Sequence, residues 1–127
     1  MKLLKSVALL GLACVASSVS AAEALTVYSY RQAFLIEPIL EKFTEQSGVD
    51  VNVVFAKDGI AERMVREGRL SPADVVLTSD FSRLMELVEK DLVSPVDSAV
   101  IDSNIPAQYR SQQNNWYALT MRVRNLY

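Results

Sequence analysis

Five consecutive residues, Tyr28-Ser29-Tyr30-Arg31-Gln32, place two phenols, a hydroxyl, a guanidinium and an amide at one strand-to-helix junction. A second polar junction, Thr78-Ser79-Asp80, follows a later apolar run. Arg31 is the leading candidate for anion binding, because a guanidinium beside a helix N-terminus combines forked N–H donors with a favourable dipole. Ser29, Gln32, Thr78, Ser79 and Asp80 are candidates for the lining of a ligand cleft. Phenolate and carboxylate oxygens suit a hard cation such as Fe(III), which keeps Tyr30 open as a metal ligand. Plainer roles stand beside each of these. Arg31 could be an ordinary surface arginine, Thr78 to Asp80 are good helix caps, and Tyr28 and Tyr30 share a strand face suited to packing.

The missing residue types narrow the chemistry further. The chain has no histidine, and its one cysteine, Cys14, lies in the apolar N-terminal stretch. This removes the commonest general base, the Ser-His and Cys-His pairs and most transition-metal sites. No enzyme is expected.

These residues need elements to hold them. Leu25 to Tyr30 reads as a strand, and Phe34 to Gln46 as a helix with Leu35, Ile36, Ile39, Leu40 and Phe43 on one face, stopped by Gly48. Val49 to Phe55 reads as a second strand, and Ile60 to Glu67 as a helix with i,i+4 pairs Glu62–Arg66 and Arg63–Glu67, stopped by Gly68. Ala73 to Leu77 is short, β-branched and apolar, the pattern of a central parallel strand. Phe81, Leu84, Met85 and Val88 give a third helix, ending near Lys90. The alternation βαβαβα implies an α/β fold with a mostly parallel sheet and helices on both faces. Val93 to Gln113 reads as irregular with one helical turn, Asn114-Asn115 as a turn, and a strand is expected to begin at Trp116. In open α/β sheets ligands bind beyond the carboxyl ends of the strands, where both polar junctions fall.

The N-terminal segment carries an address. Lys2 and Lys5, an apolar stretch from Val7 to Ala16 and the small residues Ser17 to Ala22 form a cleavable export signal over residues 1–21. Gly11-Leu12-Ala13 ahead of Cys14 lacks the aliphatic residue of a lipoprotein signal. The periplasm is the expected location. Removal of Lys2 and Lys5 lowers thirteen basic residues to eleven against fifteen acidic ones, a net charge near −4, so nucleic acid is not an expected partner. The strand-like run from Trp116 to Tyr127 has no polar tail, and the sequence is expected to stop within a longer protein.

Taken in order, several segments resemble the ferric-iron-binding periplasmic proteins of ABC importers, a branch of the type II periplasmic binding proteins. They are Leu25-Thr26-Val27-Tyr28-Ser29-Tyr30-Arg31, Phe43-Thr44-Glu45-Gln46-Ser47-Gly48-Val49-Asp50-Val51, Ser71-Pro72-Ala73-Asp74-Val75, Ile105-Pro106-Ala107-Gln108-Tyr109-Arg110, Trp116-Tyr117-Ala118-Leu119-Thr120 and Arg122-Val123-Arg124. The resemblance implies a bilobal, hinge-closing protein. Residues 22–120 would be a partial first lobe, residues 121–127 the start of a hinge-crossing strand, and the second lobe would lie beyond Tyr127. It further implies capture of Fe(III), largely by second-lobe tyrosines, with a synergistic anion such as carbonate, and delivery to an ABC permease in the inner membrane. The full-length protein is expected to be a monomer.

The first-lobe metal donors of the family are not matched. Gln32 replaces a histidine, Ala33 a tyrosine that follows it, and Ser79 a glutamate, with Asp80 one place later. The resemblance therefore assigns Arg31, with Arg122 as a second arginine, to the anion, and leaves Tyr30 as a residual metal candidate. The same architecture could instead serve an organic or oxyanion ligand, and the chain by itself could be an inactive truncated product.

Overall fold

The structure is a computed structural model, and it describes residues 24–121. The expected export signal and residues 122–127 of the expected hinge strand, Arg122 among them, lie outside the described residues. Three parallel strands form the sheet: β1 (Leu25–Ser29), β2 (Val51–Phe55) and β3 (Val75–Leu77), in the order β2-β1-β3. Helix α1 (Ala33–Ser47) joins β1 to β2, α2 (Ile60–Glu67) precedes β3, and α3 (Phe81–Glu89) follows it. A short α4 (Ala99–Asn104) comes last. The α/β reading with a parallel sheet is therefore the observed one.

Two details differ from expectation. The central strand among those described is β1, paired on both sides, whereas β3 pairs only with β1. An apolar run reports burial of strand faces and carries no information about the hydrogen-bonding edges, so Val75 to Leu77 could not reveal its own place in the order. The expected strand at Trp116 is also replaced: Arg110 and Tyr117 form one isolated antiparallel bridge, and residues 118–121 are irregular.

Strand alternation sorts the core. Tyr28 and Tyr30 point to one face, where they pack with Ile60, Ala61 and Met64 of α2 and Leu87 of α3. Val54, Ala56, Ala73, Val76, Leu92 and Val93 close around this cluster. On the third helix the fully buried residue is Leu87, outside the expected set, while Phe81 is 60% exposed and meets Trp116 edge-to-face at 5.6 Å. On α1 only Ile36 of the expected face is buried, and Phe34, Leu35, Ile39 and Phe43 stay exposed, because nothing among the described residues covers that stripe. Gly48 ends α1 at φ 71°, a left-handed turn in which glycine carries no Cβ penalty.

Candidate functional site

The register brings both polar junctions to one edge. Ser29 lies beside Phe55 on one side and Leu77 on the other, so the loops after β1, β2 and β3 all leave the carboxyl end of the sheet together. The connection from β1 runs to β2 and the chain then returns across to β3, which makes the crevice between β1 and β3 the switch point where such sheets bind ligands. The Tyr30 N–H donates to the Leu77 carbonyl at 2.9 Å and ties the two junctions directly.

Ser29 is wholly buried, and its hydroxyl both donates to the Arg31 carbonyl at 2.7 Å and accepts the Arg31 N–H at 2.9 Å. That closed turn sets the direction of the chain into α1. Ser29 therefore shapes the junction, and Arg31 and Gln32 stand at its surface. Gln32 occupies the N-cap position of α1 in an extended conformation and makes no side-chain cap bond, and the first turn of α1 holds no acidic residue. The Leu35 N–H is taken by the Gln32 carbonyl at 3.1 Å, and the earlier N–H groups and the helix dipole remain available to an anion. Arg31 has no carboxylate within salt-bridge distance among the described residues.

The other helix starts at this edge are occupied. Asp80 caps α3 by accepting the Arg83 N–H at 3.0 Å, and that bond is the main reason its carboxyl sits below the usual range. Ser79 donates to the Asp80 carboxylate at 3.0 Å, while Thr78 lies half-buried between the Leu77 and Ser79 positions. At α2 the Ala61 N–H donates to the Tyr30 hydroxyl at 3.3 Å. Tyr30 is only 8% exposed, so the one metal-donor candidate among the described residues turns its oxygen into the start of α2 rather than towards the crevice. Among the described residues no three His, Cys, Asp or Glu side chains converge on a common point.

One functional-looking residue escaped the sequence reading. The Arg83 guanidinium lies 4.5 Å over the Tyr30 ring, pairs with Asp58 at 2.8 Å and approaches Asp80 at 3.6 Å. The Asp80-x-x-Arg83 spacing on one helix turn was its available signal. Nothing local pointed to Asp58, which arrives from the loop after β2.

The Ser-Pro-Ala-Asp segment belongs to the opposite end of the sheet. Ser71 donates to Glu67 at 2.8 Å, and the Asp74 carboxylate accepts the Thr26 N–H at 2.8 Å. Asp74 thus ties the start of β3 to β1 and Ser71 ties the segment to α2, away from the crevice.

Comparison with known proteins agrees with this geometry. The family described as bacterial extracellular solute-binding protein matches residues 25–112. The "Iron uptake protein A1" of a Synechocystis species is 37% identical over 101 residues, covering 79% of this chain and 28% of that protein. The open-conformation crystal structure of Mannheimia haemolytica ferric iron-binding protein A superposes with a TM-score of 0.76 at 50% identity, covering 78% of this chain and 31% of that one. A Trichodesmium protein in complex with iron and citrate gives a TM-score of 0.69 at 34% identity, covering 74% and 30%. The chain thus spans less than a third of the length of these relatives. With a match over residues 25–112, the chain belongs to the bacterial extracellular solute-binding proteins.

Proposed function

We propose that this chain forms most of the first lobe of a periplasmic solute-binding component of an ABC importer, which captures Fe(III) with a synergistic anion and delivers it to a membrane permease. The carrying observation is the contrast among helix starts at the crevice: among the described residues no side chain bonds the first N–H groups of α1, where only the Leu35 N–H is taken, by the Gln32 carbonyl, and Arg31 stands beside them with no carboxylate within salt-bridge distance. In this reading Arg31 and the first N–H groups of α1 hold the anion, Gln32 and Thr78 line the crevice, and Arg122 contributes a second guanidinium. Ser79 and Asp80 keep α3 in place. The phenolates that hold iron come from the second lobe.

The electrostatics are consistent with such a division. Three phenolates leave bound Fe(III) nearly neutral, and a carbonate that completes its coordination needs a fixed positive partner in a site that closure makes dry. Citrate accompanies iron in the Trichodesmium relative and fits the same cationic edge as an alternative to carbonate. An organic or oxyanion cargo is the second reading, since an uncapped helix start beside Arg31 also suits a carboxylate or oxyanion without a metal.

The test is ferric affinity of the full-length protein by citrate competition, across a bicarbonate series. Arg31→Ala is expected to weaken binding by about tenfold or more, the scale of a lost charge-assisted contact, and to flatten the bicarbonate dependence. An unchanged affinity and unchanged dependence would sink the anion role. Failure of the wild-type protein to develop a phenolate-to-iron absorption band on addition of ferric citrate would favour the organic cargo.

A further inference from the structure

Three loops of different origin meet on one side chain that the ligand edge does not need for charge. Arg83, in the first turn of α3, lays its guanidinium over the Tyr30 ring at 4.5 Å. The same group donates to Asp58 at 2.8 Å in the loop after β2, and it lies 3.6 Å from Asp80 and 3.4 Å from the Ser79 hydroxyl in the loop after β3. Two carboxylates neutralise it, so it is a poor anion receptor. Its planar fork instead lets one group stack on a ring face and bond at its edges at the same time, which a lysine ammonium cannot do.

We infer that Arg83 is the positioning residue of the ligand edge: by clamping Tyr30 against the loops after β2 and β3 it sets the direction in which Arg31 is offered to an anion. Tyr30 is held at three points, its N–H on Leu77, its hydroxyl on Ala61 and its ring under Arg83. Arg31 follows immediately, and its own backbone is closed by the Ser29 hydroxyl on both its N–H and its carbonyl. With the peptide of Arg31 fixed from both sides, the guanidinium searches only its side-chain rotamers. Pre-organisation of this kind raises anion affinity by lowering the ordering cost on binding. Asp58 also gives the clamp a reach between loops, since its hydrogen bond ties the loop after β2 to Arg83.

The inference rests on the anion reading of Arg31 for its functional part, and the experiment separates the two. In the full-length protein, Arg83→Leu, Arg83→Lys and Asp58→Asn are compared with Arg31→Ala by amide NMR, bicarbonate-dependent ferric affinity and thermal unfolding. Arg83→Leu is expected to shift the amide signals of Tyr30, Arg31 and Gln32 and to raise the half-saturating bicarbonate concentration by about tenfold. Arg83→Lys falls between it and wild type, because charge without the fork restores only part of the clamp. Asp58→Asn gives a smaller rise, about threefold, at a nearly unchanged unfolding midpoint, which a purely stabilising role would not produce. Unmoved Arg31 and Gln32 amides in Arg83→Leu overturn the inference. So does a wild-type bicarbonate response in both Arg83→Leu and Asp58→Asn when Arg31→Ala has lost it. A wild-type response in Arg31→Ala itself overturns the anion reading, and the amide shifts still judge the positioning role alone.

Discussion

Tyr28 on β1 and Tyr30 just beyond its end are each roofed by an arginine from a following helix, and their surroundings differ in a way that separates scaffold from site. Arg63 lies 4.6 Å over Tyr28, and Arg83 4.5 Å over Tyr30. At Tyr28 the network is closed: the phenol donates to both Glu67 oxygens at 2.8 and 3.0 Å, Arg63 bonds Glu67 at 2.6 Å and Ser71 completes the carboxylate. All of these groups belong to β1, to α2 or to the segment just after α2. At Tyr30 the network is spread over three loops at the carboxyl end of the sheet, with partners that are half exposed. The same pair of residue types thus seals one end of the sheet and organises the other. Position along the strand, relative to the crevice, decides which.

The largest expected effect falls on the closed end. Tyr28→Ala removes a wholly buried ring and should cost about 3–5 kcal/mol of stability in urea unfolding, whereas the exposed-stripe change Ile39→Ala on α1 should cost far less. Equal losses would show that α1 is covered in solution.

The pH dependence comes next and draws on both ends, through Glu67 and Tyr28 at the closed one and Asp80 at the open one. Glu67 is held below its ordinary 4.5, first by the Arg63 hydrogen bond, and Asp80 below 3.8, first by the Arg83 N–H. A depressed carboxyl stabilises the fold fully above the unfolded value, and that contribution is lost as pH falls through the folded one. Tyr28 is raised above 10.0, first by burial, so its contribution is full below 10.0 and is lost as pH rises through the folded value. The urea midpoint should therefore fall both below about 4.5 and above about 10. Tyr28→Phe should reduce the alkaline fall, to which the raised Lys90 also contributes, and Glu67→Gln should soften the acid one.

The smallest effect is at the open end. Asp58 is 70% exposed along its side chain, so Asp58→Asn should cost under about 1 kcal/mol, and the cost should shrink further in high salt. A loss as large as that of Tyr28→Ala would place the loops after β2 and β3 in the core, not at a site.

Much of the fold was legible because its signals are local. The α2 boundaries, Ile60–Glu67 between Gly59 and Gly68, follow from a glycine stop and paired charges, and both glycines adopt positive φ. Of the site, the junctions were legible but the division of labour within them was not. Ser29 reads as a cleft hydroxyl and is buried in its own turn; Tyr30 reads as an oxygen donor and has its oxygen on Ala61. Arg83 and Asp58 are 25 residues apart, beyond any helix or strand period.

By itself the sequence determined the alternation of strands and helices, the lack of histidine and thiol chemistry in the described region, and the placement of Arg31 at a helix start. Each depends on residue type and on spacing within one element. Only the tertiary structure decided that β1 is central among the described strands, that the start of α1 meets no side chain while α2 and α3 each meet one, and that Arg83 rather than a local cap gathers the loops. Strand order and loop convergence are set by hydrogen bonds and burial between segments far apart in the chain, where neither periodicity nor propensity carries information.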